Sequence, residues 1–288
     1  MGEKNLGTLL DDINGIFEGE CEVSEDFLEL FAQNLKDTLR RALTEAGTER
    51  ATTLRMSNLG TPDRKLWYSL KDPMRSSKGL SAREHINFTF GHIIEEYLLF
   101  LVRQAGHDVT HEQEEVEIDG IVGHLDCCID GVPVDVKSAS DYGFKKFSEG
   151  TLLSGDDPFG YIHQISGYAK ALGKDSGAFL AMNKNRGTIA LLEVDGFFLE
   201  NTEERIKHIN EIMDHDTPPT RCYSDEPMGK GGNRKLTMPC VFCPFKWECW
   251  GDLRVFQYSG GPVYFTEVAS LPKVPETTSA YRDVTKEN

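Results

Sequence analysis

Asp126, Asp135 and Lys137 fall within one short stretch, residues 121–138, which reads IVGHLDCCIDGVPVDVKS. Asp130-Gly131 separates two β-branched and apolar runs, the pattern of a two-residue hairpin turn. Such a turn sets Ile129 opposite Val132 and Cys127 opposite Val134. Continued one step, it sets Asp126 opposite Asp135. Strand alternation puts Asp135 and Lys137 on one face and Val134 and Val136 on the other. Like charges facing each other on a sheet are destabilising, the more so where the strands are apolar enough to be buried. Folding alone gives no reason for this pair. A divalent cation does, because hard cations take carboxylate oxygens and reverse the local electrostatics. A lysine on the same face can orient or deprotonate a metal-activated water.

A second set of residues points to a softer metal. Cys222 is followed by Cys240, Cys243 and Cys249 in the spacing C-x2-C-x5-C. Thiols crowded in this way are hard to explain as core packing, and zinc or a [4Fe–4S] cluster would accept four of them as thiolates. Spacing does not choose between the two. Cys21, Cys127 and Cys128 read as inert packing residues. Seven cysteines, an odd number, speak against a disulfide framework.

Helices and strands must hold these residues in place. Residues 1–50 read as polar, helical material, with Phe27, Leu28, Leu30, Phe31 and Leu35 forming an apolar stripe. A long helix is predicted over 82–104, with Ser81 as N-cap and Gly106 as stop. Glu95 and Glu96 lie in its apolar half, one turn after Gly91, so at least one of them should turn towards the sheet. Residues 111–118 read as a strand, turned by Asp119-Gly120 into the hairpin, and 142–158 read as a loop. A helix ending at Gly173 places Gln164 and Tyr168 on one face. Strands are expected at 178–183 and 188–194, and an amphipathic helix at 197–215. Strands and helices mixed in this order indicate an α/β or α+β core with a mixed sheet.

The net charge of −16 argues against a protein that coats nucleic acid non-specifically, and leaves room for one that grips it in a local basic channel. Lys145-Lys146, Lys184/Arg186 and Lys230/Arg234/Lys235 are the candidate patches. Arg234 and Lys235 lie in the glycine-rich stretch MGKGGNRKL, which reads either as a phosphate-binding loop or as a flexible connector. No apolar run is long enough to span a membrane and no secretion signal is seen at the N-terminus, so the expected location is cytoplasmic.

The ordered set Glu95/Glu96, Asp126, Asp135-Val136-Lys137 and Gln164-x3-Tyr168 resembles the PD-(D/E)xK nuclease superfamily, and within it the RecB-like branch. With the C-x2-C-x5-C tail, the chain is similar to CRISPR-associated and phage-encoded exonucleases clasped by an iron–sulfur cluster. The resemblance spans about residues 55 to 252. It implies a restriction-endonuclease-like α/β core, a mixed β-sheet flanked by helices, with a C-terminal cysteine metal clasp. Together with the reading of the flanks, the expected layout is a helical appendage at 1–50, the nuclease core at 51–215, the clasp at 216–252 and a tail at 253–288. The resemblance further implies that Asp126, Asp135, a helix glutamate (Glu95 before Glu96) and the Val136 carbonyl hold Mg²⁺ or Mn²⁺. Lys137 would position the attacking water, and Gln164 and Tyr168 would hold the metal site and the nucleic-acid backbone. The implied activity is metal-dependent hydrolysis of DNA, single-stranded or from a free end, with a helicase or recombination protein as partner. A restriction-type endonuclease and a non-catalytic, metal-stapled binding module are the alternatives. Two departures are visible: the family's helical motif often carries His then Glu, where this chain has Glu95-Glu96; and the family's first cluster cysteine precedes the core, whereas Pro62-Asp63-Arg64-Lys65-Leu66-Trp67 has none, and Cys222 takes that place as fourth ligand.

Overall fold

The computed structural model describes residues 4–19, 21–44, 52–73 and 81–279. Helices α1 (Leu9–Glu18), α2 (Glu25–Thr44), α3 (Asp63–Lys71) and the long α4 (Ala82–Gln104) come first. Strands β1 (Val109–Thr110), β2 (Glu114–Ile118), β3 (Ile121–Leu125), β4 (Cys127–Ile129) and β5 (Val132–Ala139) follow. Next are α5 (Asp141–Ser148), α6 (Tyr161–Ala171), β6 (Gly177–Asn183), β7 (Ile189–Val194) and α7 (Thr202–Met213). The chain closes with β8 (Glu226–Met228), β9 (Asn233–Lys235), α8 (Met238–Val241), α9 (Lys246–Trp250), β10 (Arg254–Tyr258) and β11 (Gly261–Glu267).

The chain divides into two units, one built from the described residues of 1–49, 54–60 and 79–208, the other from those of 50–53, 61–78 and 209–288. The first unit holds a five-stranded mixed sheet in the order β1-β4-β5-β6-β7, in which only β5 and β6 run parallel. Parallel neighbours need a crossover connection, and α5 and α6 supply it. On one face, Val134, Val136, Ile129, Ala178 and Leu180 pack with Leu9 and Ile13 of α1 and Leu98 and Val102 of α4. Asp135 and Lys137 therefore lie on the other face, where Phe179 is the register partner of Asp135 and meets the rings of Phe147 and Tyr161.

Helix α4 starts and stops where its sequence directs. Ser81 Oγ accepts the Glu84 N–H at 3.3 Å, Glu84 reaches back to the Ser81 N–H at 2.8 Å, and Gly106 follows at φ 85°. The β4–β5 turn takes positive φ at both Asp130 (49°) and Gly131 (79°), and the register pairs Ile129 with Val132 and Cys127 with Val134 as predicted.

Other expectations need correction. Residues 121–129 do not form one strand: β3 pairs with β2 in a separate two-stranded sheet, and β4 joins β1 and β5. The ladder ends at Cys127, so Asp126 is not a strand partner of Asp135; it sits where the chain passes from one sheet to the other. The strand expected over 111–118 begins only at Glu114. His111 and Gln113 take left-handed backbone (φ 54° and 51°), and β1 and β2 go to different sheets. The expected loop at 142–158 contains α5 and a helical turn, Thr151–Ser154, because Ser140 caps the first and Phe147 anchors it in the ring cluster. The helix expected from 197 begins at Thr202, where Asn201 Oδ1 accepts the Glu204 N–H at 3.1 Å.

The second unit holds an antiparallel sheet in the order β10-β11-β9-β8, with Leu236, Cys240, Leu253, Val255 and Tyr264 as its core. Arg234 and Lys235 lie in a strand, not in a flexible connector, and the stretch read as a tail carries the β10–β11 hairpin. Helix α3 belongs to this unit: Trp67 Nε1 donates to the His215 carbonyl at 3.2 Å, and Tyr68 stacks on Phe245. Among the described residues, no helix is long and apolar enough to cross a membrane.

Candidate active site

Strand β5 carries Asp135 into the interior with 0% of its surface exposed. Lys137, two residues on and on the same face, contacts Asp135 Oδ2 as an ion pair. Neither Asp135 oxygen has a well-aligned donor, although the Lys137 ammonium lies close enough to hydrogen-bond to Oδ2. Burial pushes the Asp135 carboxyl above its ordinary value, and the charge of Glu95 adds to that, while Lys137 pulls the other way. Asp126 accepts the Val136 N–H at 2.7 Å through Oδ2. It is held well above the usual carboxylate range by burial first, then by the charges of Asp135 and Glu95. Burial alone would lower Lys137, yet the charges of Asp135 and Asp126 lift it above its normal value. Its Nζ lies 4.9 Å from the centroid of the Tyr161 ring. As it stands, Lys137 is an ammonium at neutral pH, suited to orienting a water or meeting an anion rather than taking a proton.

Glu95 completes this group from α4. It is buried; its Oε1 accepts from Gln113 Nε2 at 2.6 Å, and Oε2 lies 3.3 Å from His92 Nδ1. That contact with Glu95 raises His92 above its usual value. Glu96 turns away to Asn34 Nδ2 of α2, at 2.9 Å. Helix α4 comes close to the end of β5 at Gly91, where a Cβ would lie 3.3 Å from Ser138 Oγ. Gln164 Nε2 donates to the Tyr168 hydroxyl at 3.2 Å, and that hydroxyl donates to the His124 carbonyl at 2.7 Å. Tyr168 is 1% exposed, so it braces the end of β3 beside Asp126 and is not placed to touch a nucleic-acid backbone.

Three residues escaped the sequence reading. Gln113 donates its backbone N–H to the Asp126 carbonyl at 3.1 Å and its side chain to Glu95, tying helix to sheet junction. It carried no signal, because the contact depends on left-handed backbone at a break within an apparent strand. His92 lies one turn before Glu95. Tyr161 precedes Gln164 and Tyr168 by three and seven residues, the helical spacing that could have found it.

The expected phosphate-binding cations are largely engaged. Arg234 contacts Asp225 Oδ1 through Nε at 2.8 Å and Nη2 at 2.6 Å, and Lys235 pairs with Glu226 at 3.0 Å. Lys146 is buried against Asp156, and Arg186 pairs with Asp141 at 2.8 Å. Arg234 and Lys235 of GGNRKL thus carry acidic partners within the second unit.

In that unit Cys240 is buried, Cys243 and Cys249 are half-buried and Cys222 is exposed. Burial pushes the Cys240 thiol up, and the nearness of Cys249 and Cys222 adds to it; burial, Cys240 and Cys249 do the same to Cys243. Each of the four thus lies within the field of at least one other. Among the described residues, no three His, Cys, Asp or Glu side chains converge tightly enough to cage a metal as they stand. The donor chemistry nevertheless fits: carboxylate oxygens without aligned donors suit a hard cation, and crowded thiols a soft one. A cavity of about 330 Å³ in the first unit is lined by Gly60, Leu152, Gly160, Phe198 and neighbours, and by none of the candidate residues.

No family profile matches the chain, and neither does any curated protein. Among solved structures it is similar to the crystal structure of SSO0001, at 15% identity and TM-score 0.41 over 76% of this chain and 96% of that one. It is similar to an alkaline exonuclease (LHK-Exo) from Laribacter hongkongensis at 13% identity and TM-score 0.41, over 61% and 92% of the two chains. A phage related exonuclease from Haemophilus somnus 129PT matches at 14% identity and TM-score 0.41, over 57% and 95%. Likeness of this degree carries no argument about reaction or residues.

The buried carboxylates make stability depend on pH. A carboxyl whose folded value is raised binds more protons folded than unfolded between the two values, so stability falls as pH rises through that window. In chelator, Asp126→Asn is expected to be more stable than wild type in urea melts at pH 8. The gain should vanish below about pH 4, near the ordinary carboxylate value. A variant less stable at pH 8 would show that the charge is not held at a cost.

Proposed function

We propose that the chain is a metal-dependent nuclease that hydrolyses DNA phosphodiesters, with Glu95, Asp126, Asp135 and the Val136 carbonyl as cation ligands. The observation that supports this most is Asp135 itself: a wholly buried carboxylate in an ion pair with Lys137, within the field of Glu95 and itself acting on Asp126. Such a set is unfavourable for folding and well suited to a hard cation. Mg²⁺ or Mn²⁺ there would supply a Lewis acid for the scissile phosphate. Lys137 would hold the attacking water with its ammonium and neutralise charge gathering on the phosphate. Gln113 would fix the glutamate, and Gln164 with Tyr168 would fix the junction that presents Asp126. The strongly acidic chain repels a duplex approaching broadside, which favours a single strand or a free end as substrate, and hence an exonuclease.

In the same reading Cys222, Cys240, Cys243 and Cys249 bind a [4Fe–4S] cluster that staples the second unit, with Zn²⁺ as the competing occupant. Hydrolysis needs no chemistry at these thiols.

End-labelled DNA tests the activity. Wild type with Mg²⁺ or Mn²⁺ should degrade linear single strands, and EDTA should stop it. Asp126→Asn, Asp135→Asn and Lys137→Ala should each slow cleavage by about a thousandfold while remaining folded, and Gln113→Ala by about 10- to 100-fold. Wild-type rates in the aspartate variants would refute the assignment, and binding without cleavage by wild type would favour a non-catalytic module.

Visible spectra and metal analysis of anaerobically purified protein test the clasp. Broad absorption that bleaches in air is expected, with loss of metal and of thermal stability in Cys240→Ser, Cys243→Ser and Cys249→Ser. Colourless protein with stoichiometric zinc would replace the cluster, and full metal content in Cys222→Ser would remove Cys222 from the ligand set.

A further inference from the structure

We infer that Phe159 is a stacking platform for an unpaired nucleobase of the strand whose phosphate meets Lys137; the inference rests on the nuclease reading above. Phe159 is 61% exposed, so its ring is open to solvent. It does not stand alone. Its ring stacks on Tyr161 at 5.4 Å between centroids and an interplanar angle of 28°. The centroid of the Tyr161 ring in turn lies 4.9 Å from the Lys137 ammonium, and the ring stacks on Phe147 of α5. Two short steps therefore lead from an open aromatic face to the cation beside Asp135.

The backbone that displays this ring is held on both sides. Asp157 accepts the N–H groups of Tyr161 and Ile162, each at 2.9 Å, and so anchors the turn to the start of α6. Gly160 takes φ 75° and packs directly on Gly60, where a Cβ on Gly160 would fall 2.3 Å from the Gly60 Cα. Neither position tolerates a side chain without displacing the turn. The ring is thus presented on a fixed turn, as a stacking surface requires if ordering it is not to offset the gain.

The occupant that fits is a nucleobase. A base attached to a phosphate at Lys137 is tethered within a nucleotide's reach of the aromatic pair, and every base has a π-face, so the contact would be tolerant of sequence. A paired base keeps its face against its neighbours. The platform therefore selects single strands or frayed ends, and accounts for strand preference without a broad basic surface.

The test is equilibrium binding of fluorescent single-stranded oligonucleotides in Ca²⁺ by anisotropy, with strands in which one nucleotide at a time is abasic. Phe159→Ala should weaken binding about tenfold, and Phe159→Trp should restore it. One abasic position should weaken wild type to the same extent, and Phe159→Ala should add nothing on that strand. Wild-type affinity in Phe159→Ala would overturn the inference, as would a loss that persists on every abasic strand or a wild type that ignores single strands. Should Phe159→Ala fail to fold, the abasic scan of wild type decides, and a flat scan overturns it. Mg²⁺-dependent cleavage is scored separately: a stacking pattern without cleavage defeats the nuclease reading alone, and cleavage with a flat scan defeats the platform alone.

Discussion

A carboxylate buried in an apolar sheet beside two others must be neutralised by a proton, by an ammonium or by a metal. Asp135 is that carboxylate, and the first unit is arranged around the problem it poses. Lys137 supplies one positive charge against three acidic groups, so the cluster keeps an excess of negative charge. Protonation can absorb it, which is why burial and mutual repulsion push Asp126 and Asp135 upward. On the proposed reading, a divalent cation would absorb it at neutral pH and turn the cost into binding energy. The supporting contacts make sense in that light. Gln113 holds Glu95 towards the group, the Val136 N–H fixes one oxygen of Asp126, and Tyr168 pins the strand end just before it.

Much of this was legible in the chain. The β4–β5 hairpin followed from Asp130-Gly131, because few residue pairs tolerate two positive φ values in succession. Helix α4 followed from its apolar period and its capping residues. Gln164 and Tyr168 were placed together by helical spacing alone. What could not be read was where the strands change sheets. Asp126 falls inside the run that leads into the hairpin, and the His111–Gln113 break falls at the start of the run expected as a strand. Only the tertiary fit decides that Gly123 must lack a side chain, since a Cβ there would lie 2.7 Å from both the Tyr168 ring and the Met56 sulfur. Gln113 was missed for the same reason: its role arises from a backbone conformation that sequence pattern does not encode.

The cations show a second limit of sequence reading. A basic residue in a glycine-rich stretch looks available until its partner is seen. Asp225 lies several residues before Arg234, and strand pairing of β8 with β9 is what brings Glu226 to Lys235. Arg234 and Lys235 thus have acidic partners within their own unit. This is consistent with a chain whose net charge is far below zero.

The account stands or falls on whether Glu95, Asp126 and Asp135 hold a divalent cation in the absence of any substrate. Titration of Mn²⁺ into the chelator-stripped protein, with free Mn²⁺ followed by electron paramagnetic resonance, measures this directly. Wild type should bind Mn²⁺ in competition with Mg²⁺, and Asp135→Asn should lose that binding while remaining folded. Unchanged binding in Asp135→Asn, or no binding competed by Mg²⁺ in wild type, would contradict the account.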